Sequence, residues 1–179
     1  MDINSTDLRC NEDGVDSGLQ TETVTITAAS LIGFTPSNSI SHVGPLMVYM
    51  AKAPGDPSDW NGAGQFWFKI NEWSPDFSTG SINWPQLGLL QYEFTIPSTL
   101  SNGEYIVSIE HLAVHNGANY GGAQFFVACG QVKVNGGSAG SPRPLVAIPG
   151  AYSPNDPGIY FNTSYPPLYF TLFMTIFEP

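Results

Sequence analysis

Apolar residues in this chain recur at every second position, in short runs cut off by Gly, Pro, Asn and Ser, and no stretch of helical length carries an apolar stripe. The clearest runs are residues 21–27, 46–50, 65–70, 92–96, 105–114 and 123–134. Because successive side chains of a strand point to opposite faces, runs of this kind without intervening helices predict an all-β fold, an antiparallel β-sandwich of immunoglobulin or fibronectin-like type with long loops. The 179 residues suit one domain spanning 1–179, and the sequence shows no internal repeat or linker. The Gly, Ser and Pro-rich stretch 136–149 is expected to meander over the surface, held down by Leu145, Val146 and Ile148.

Charge narrows the partners. A net charge of −10 with only five Lys and Arg cannot neutralise a phosphate backbone, which argues against nucleic acid and against anionic membranes. The last apolar run, residues 168–177, is too short to span a bilayer. Low charge with abundant Gly, Pro and aromatic residues is the balance of a secreted, loop-rich β protein. Sequons at Asn4 and Asn162 are compatible with that route, although the segment after Met1 has neither the basic nor the apolar region of a signal peptide.

Two cysteines, Cys10 and Cys129, lie too far apart in sequence for a CxxC motif or a zinc knuckle. Paired, they close a loop whose entropy is worth about 4 to 5 kcal/mol. Unpaired, they are two small buried hydrophobes.

Few side chains can carry chemistry. The three histidines are His42, His111 and His115. His111 and His115 have the spacing of a helical metal pair, yet they end a strand-like run, and four strand residues span about 13 Å, so one face but not one ion can hold both. His42 precedes a strand and is expected at an exposed loop end. Glu72, Asp76, Glu104 and Glu110 supply carboxylates for glycoside hydrolysis, but no spacing selects two of them, and no GxSxG elbow occurs. Trp60, Trp73 and Trp84 are equally candidates for sugar stacking and for anchoring the core.

Several ordered motifs resemble the fungal lytic polysaccharide monooxygenases of auxiliary activity family 9. His42-Val43-Gly44-Pro45, followed by a hydrophobic strand, is similar to the segment that carries the family's second copper-ligating histidine. Glu110-His111-Leu112-Ala113-Val114-His115 resembles the strand whose closing histidine sits beside copper. Gly122-Ala123-Gln124-Phe125-Phe126-Val127-Ala128-Cys129 is similar to the segment with a second-sphere glutamine, an axial aromatic and a disulfide cysteine. Asp7-Leu8-Arg9-Cys10-Asn11 resembles the partner cysteine segment, and Asp156-Pro157-Gly158-Ile159 a strand near the family's C-terminus.

The resemblance implies a Cys10–Cys129 disulfide, copper held by His42, Phe126 at the axial position, and His115 and Gln124 as catalytic groups outside the ligand set. It places His42 and His115 together at one end of the sandwich, with Gln124 beside them and His115 too far from the ion to act as a ligand. It also implies a secreted monomer, oxidative cleavage of cellulose or related β-glucans, and an external electron donor.

Three departures bear on activity. The family's mature chain begins with a histidine whose amine and imidazole complete the copper site; this chain begins at Met1, so the first strand is expected to be missing and copper binding weak or absent. Phe126 stands where the family has tyrosine, and the tail 167–179 diverges. The readings that follow are an impaired monooxygenase, a non-catalytic polysaccharide-binding sandwich, and a truncated gene product destabilised by an uncovered sheet edge.

Overall fold

The computed structural model describes residues 2–78 and 80–160. Eight strands form within them: β1 (Thr23–Thr27), β2 (Leu31–Phe34), β3 (Leu46–Lys52), β4 (Gln65–Trp73), β5 (Tyr92–Thr95), β6 (Gly103–Ala113), β7 (Gln124–Asn135) and β8 (Val146–Ala147). The only helical pieces among the described residues are 3₁₀ turns of three or four residues. Six strands make one sheet in the order β1-β7-β6-β3-β4-β8, and β2 pairs with β5 in a second. The sandwich is not wholly antiparallel: the β-branched run of β1 adds to β7 in parallel register, Thr23 opposite Gln131 through Thr27 opposite Asn135.

The central strands β3 and β6 are buried on both faces, and their period-two alternation divides the core in two. Leu46, Val48 and Met50 of β3, with Tyr105, Val107 and Ile109 of β6, pack under the β2-β5 sheet through Tyr92 and Phe94. Met47, Tyr49 and Ala51 face the other way, against Trp67, Leu112, Phe125 and residues of the loops, including Leu8, Trp84, Ile148, Tyr152 and Ile159. One face of the large sheet is therefore covered by a second sheet and the other by irregular chain.

Two expectations about loops need correction. The stretch 136–149 does cross the surface, but it carries β8, antiparallel to β4, and a bridge from Gly140 to Leu100. Asp156-Pro157-Gly158-Ile159 is not a strand. Asp156 accepts from the Ser153 backbone N–H, and its carbonyl accepts from Ile159 and Tyr160, so the segment closes into turns that drop Ile159 into the core. The divergent tail 167–179 and the Asn162 sequon lie outside the described residues.

Cys10, at the end of the 3₁₀ turn Thr6–Arg9, is bonded to Cys129 of β7, with 5.1 Å between Cα atoms. The bond ties the N-terminal segment to the sheet beside Leu8. Ligation across 119 positions constrains the unfolded chain strongly. Replacing both cysteines by alanine is expected to lower the unfolding free energy by about 4 kcal/mol, read by urea denaturation. A loss below about 1 kcal/mol would mean that the unfolded chain is not the state the bond restrains.

Candidate functional site

The site begins with a close approach of backbone. Beyond β3 the chain continues along the end of β6: Leu112 N–H donates to the Pro45 carbonyl at 3.0 Å and Val114 N–H to the Val43 carbonyl at 2.8 Å. Gly44 lies between them with φ +143°, and a Cβ there would sit 1.8 Å from the Leu112 carbonyl oxygen. No other residue fits. The buried Gln86 side-chain amide donates to the Gly44 carbonyl, and Pro45 fixes the turn into the strand. His42 is thereby delivered, exposed, to the end of the sheet where β6 has just finished and the chain turns at His115.

The rings form a column. His42 and His115 are stacked with centroids 4.3 Å apart and planes 19° apart. Phe126 lies 6.1 Å from His42, and Phe126 in turn stacks on His111 at 5.9 Å. Register explains the inner half, since Leu46, His111 and Phe126 are cross-strand neighbours on one face of β3, β6 and β7. Gln124 opens β7 opposite Ala113, two residues before Phe126 and beside the strand end that leads to His115, and it is exposed. The β2-β5 sheet does not cover this end, which leaves Phe126 50% exposed beside an apolar hollow shared with Phe34, Ile40 and Tyr92.

His111 differs from the other two histidines. It is buried, its pKa is pushed down to about 4 chiefly by desolvation, and the charges of His42 and His115 add to that against an opposing hydrogen bond to the His42 backbone. It is neutral at physiological pH and supports His42 and Phe126 from behind.

Copper is the metal that the motifs imply. Imidazole nitrogen suits Cu(II), and His42 presents an exposed ring of that kind. The lone pairs of nearly parallel rings run side by side, so the stack suits a ligand with a neighbour better than two ligands converging on one ion. Among the described residues no group of three or more His, Cys, Asp or Glu could hold a metal. The donor type fits copper; the described residues alone do not complete its ligand shell.

The carboxylates are engaged elsewhere. Glu72 pairs with Lys69 and accepts from Ser74, Glu104 pairs with Lys133, and Asp76 accepts from Ser78. Glu110 is fully buried on the face of β6 opposite His111 and accepts from the Tyr152 hydroxyl, which lies 3.3 Å from that of Tyr49. Trp84 is core, while Trp60 and Trp73 stand edge-on against Phe66 and Tyr92. The aromatic pair that the sequence did not single out is Tyr120 and Tyr160, 67% and 51% exposed and 6.2 Å apart, with Tyr120 in the loop after His115. Only a tyrosine in a Gly and Asn-rich loop marked that position.

A profile of Auxiliary Activity family 9 (formerly GH61) matches residues 1–169. The chain belongs to this family. It is 51% identical over 165 residues to AA9 family lytic polysaccharide monooxygenase C of Emericella nidulans, covering 92% of this chain and 71% of that one. Over 167 residues it is 44% identical to AA9 family lytic polysaccharide monooxygenase H of Malbranchea cinnamomea, covering 92% and 72%. In structure it is similar to a cellulose-active polysaccharide monooxygenase from M. thermophila, with TM-score 0.79, 30% identity and coverage of 98% and 81%. HiLPMO9B gives TM-score 0.80 at 32% identity, covering 91% and 74%. The family's copper-dependent enzymes act on polysaccharides such as cellulose and draw on an external electron donor.

Burial of Glu110 makes stability depend on pH. Desolvation raises its pKa from 4.5 to about 7, against a smaller lowering by the Tyr152 hydrogen bond. The folded state then holds a proton that the unfolded state has released, so this contribution is full below pH 4.5 and is lost as pH rises through 7. The loss amounts to ~3 kcal/mol. Glu110→Gln is expected to remove most of the fall in Tm between pH 4.5 and 8; an unchanged slope would assign it to other groups.

Proposed function

We propose that this chain is the β-sandwich of a secreted, monomeric monooxygenase of the family, directed at cellulose or a related β-glucan, with His42 as its copper-ligating imidazole. The observation that carries the reading is the ring column: one exposed imidazole flanked by a second histidine and by an aromatic ring, at an uncovered end of the sheet. Bound copper supplies one-electron chemistry with dioxygen or peroxide, fed by the external donor. The rest is the work of the chain.

His42 offers an imidazole nitrogen whose position is fixed by the Gly44 backbone contact. Its neighbour His115 presents imidazole nitrogens that can donate or accept a hydrogen bond beside the metal without binding it. Gln124 adds an amide that donates hydrogen bonds and does not titrate. Phe126 brings an apolar ring and no oxygen atom to the neighbourhood of His42, so it would shield bound copper without ligating it. The exposed rings of Tyr120 and Tyr160 suit stacking against the faces of sugar rings. Exposed Asn4, together with Asn162, is the expected site of N-glycans.

Ligand counting sets the expectation for these 179 residues. They provide one well-placed imidazole, and a single imidazole with water gives Cu(II) little advantage over solvent. Titration calorimetry with Cu(II) is expected to show binding weaker than micromolar that His42→Ala weakens further, with no oxidised oligosaccharides from cellulose plus reductant and peroxide. Extending the N-terminus with a segment that begins with histidine is expected to restore both. Submicromolar one-to-one binding by the unextended chain, or tight binding insensitive to His42→Ala, would contradict the ligand assignment.

Sugar stacking is checked separately. Tyr120→Ala is expected to reduce retention on cellulose by about threefold, the range of one aromatic contact. Equal retention would remove the tyrosine pair from the polysaccharide face.

A further inference from the structure

Five basic residues serve a chain of net charge −10, and three of them are occupied. Arg9 is buried and donates to the Asn61 carbonyl at 2.7 Å, Lys69 pairs with Glu72, and Lys133 pairs with Glu104. Lys52 and Arg143 have no carboxylate partner among the described residues. They line the same hollow, together with Phe66, Phe68, Tyr105 and Ser141, and its volume is about 260 Å³.

One turn holds the Lys52 cation and fastens the loop that carries Arg143. Lys52 Nζ donates to Ser101 Oγ at 2.8 Å and to the Asn102 carbonyl at 3.0 Å, and it lies 5.8 Å from the centre of the Tyr105 ring. Gly103 makes this possible, since a Cβ there would sit 2.7 Å from Lys52 Cε. Tyr105 is fixed in turn by its own bond to the Ser101 carbonyl at 2.7 Å. The loop carrying Arg143 is fastened to the same turn: Gly140 N–H donates to the Thr99 carbonyl, Gly137 N–H to Asn102 Oδ1, and Ser138 Oγ to the Thr99 carbonyl. Arg143 stands between Pro142 and Pro144, which limit its backbone, and Leu145 packs into the core beyond. Lys52 is therefore held in place, and Arg143 is carried into the same lining on a backbone segment with little conformational freedom left to lose.

The remaining lining indicates the ligand. Phe66 is 39% exposed, and Trp60 braces its ring edge-on at 5.3 Å. An inorganic anion has no use for an aromatic wall. A sugar ring has an apolar face for it, and hydroxyls for Ser141. A carboxylate on that ring is matched by the fork of Arg143 and the point charge of Lys52. We infer that Lys52 and Arg143 form a binding subsite for a uronic acid residue, a hexopyranose bearing a carboxylate. It lies at the far end of β3 from the histidine column, about 20 Å along the strand from Leu46. It would tether the protein to the acidic polysaccharides that its own net charge otherwise repels, and it is independent of copper.

The test is NMR titration of the 179-residue chain with methyl β-D-glucuronide, methyl β-D-glucoside and inorganic phosphate as separate probes. The glucuronide is expected to shift resonances of Lys52, Phe66 and Arg143, to bind about tenfold more tightly than the glucoside, and to weaken as salt screens the charges. Arg143→Gln and Lys52→Met, both at exposed positions, are each expected to weaken it about fivefold or more. Equal affinity for the neutral glucoside, no shift at these residues, or wild-type affinity in both variants would overturn the proposal. Phosphate binding as tightly as the glucuronide would overturn the sugar assignment by showing a general anion site.

Discussion

The histidine end of the molecule depends on one backbone contact, the passage of Gly44 against the carbonyl of Leu112. There the segment leading into β3 is hydrogen-bonded to the last residues of β6, so the loop bearing His42 cannot swing away from the turn bearing His115. A residue with a Cβ at position 44 would collide with the Leu112 carbonyl and force the two segments apart. The buried amide of Gln86 closes the same contact from the side of the loops, which couples the packing of that core to the position of an exposed imidazole.

The two faces of the large sheet do different work. The face under the β2-β5 sheet runs out of cover at its end, and the exposed column of rings begins where the buried apolar layer stops. The opposite face is closed by loops and keeps a carboxyl group, Glu110, in contact with Tyr152 rather than with solvent. Adjacent residues of β6 thus send one side chain to the site and the next to a buried polar cluster, a direct outcome of strand alternation. Lys69 and Glu72 extend that polar layer on β4, as a nearly buried pair whose partners leave neither charge alone.

Much of the architecture was legible because alternation is a local signal. The runs that became β3, β4, β5, β6 and β7 are long enough to show it, and their turn residues bound them. β2 was missed because Leu31-Ile32-Gly33-Phe34 is apolar throughout and too short to show a period. The parallel pairing of β1 was invisible, since a strand's own pattern does not encode its neighbour's direction. The resemblance misled at Asp156-Pro157-Gly158-Ile159, where the asparagine, aspartate and proline of the sequence favoured the turn that forms.

The site was less legible from residues alone. Spacing set His111 and His115 four residues apart on one strand-like run, but β6 ends at Ala113 and His115 falls in the turn beyond it; the structure buries the first and exposes the second. Nothing in spacing brings His42 to His115 across 73 positions of sequence; only the motif resemblance did, and the contact at Gly44 supplies its physical cause. Tyr120 and Tyr160 became a pair only through tertiary structure. The central claim is that copper, however weakly held, goes to the ring column. Paramagnetic broadening in NMR spectra of the labelled chain, with Cu(II) added far below one equivalent, tests it most directly. The account predicts that His42, His115, Gln124 and Phe126 broaden first while Lys52 at the opposite end of β3 stays sharp; broadening that starts among the surface carboxylates and spares His42 would contradict it.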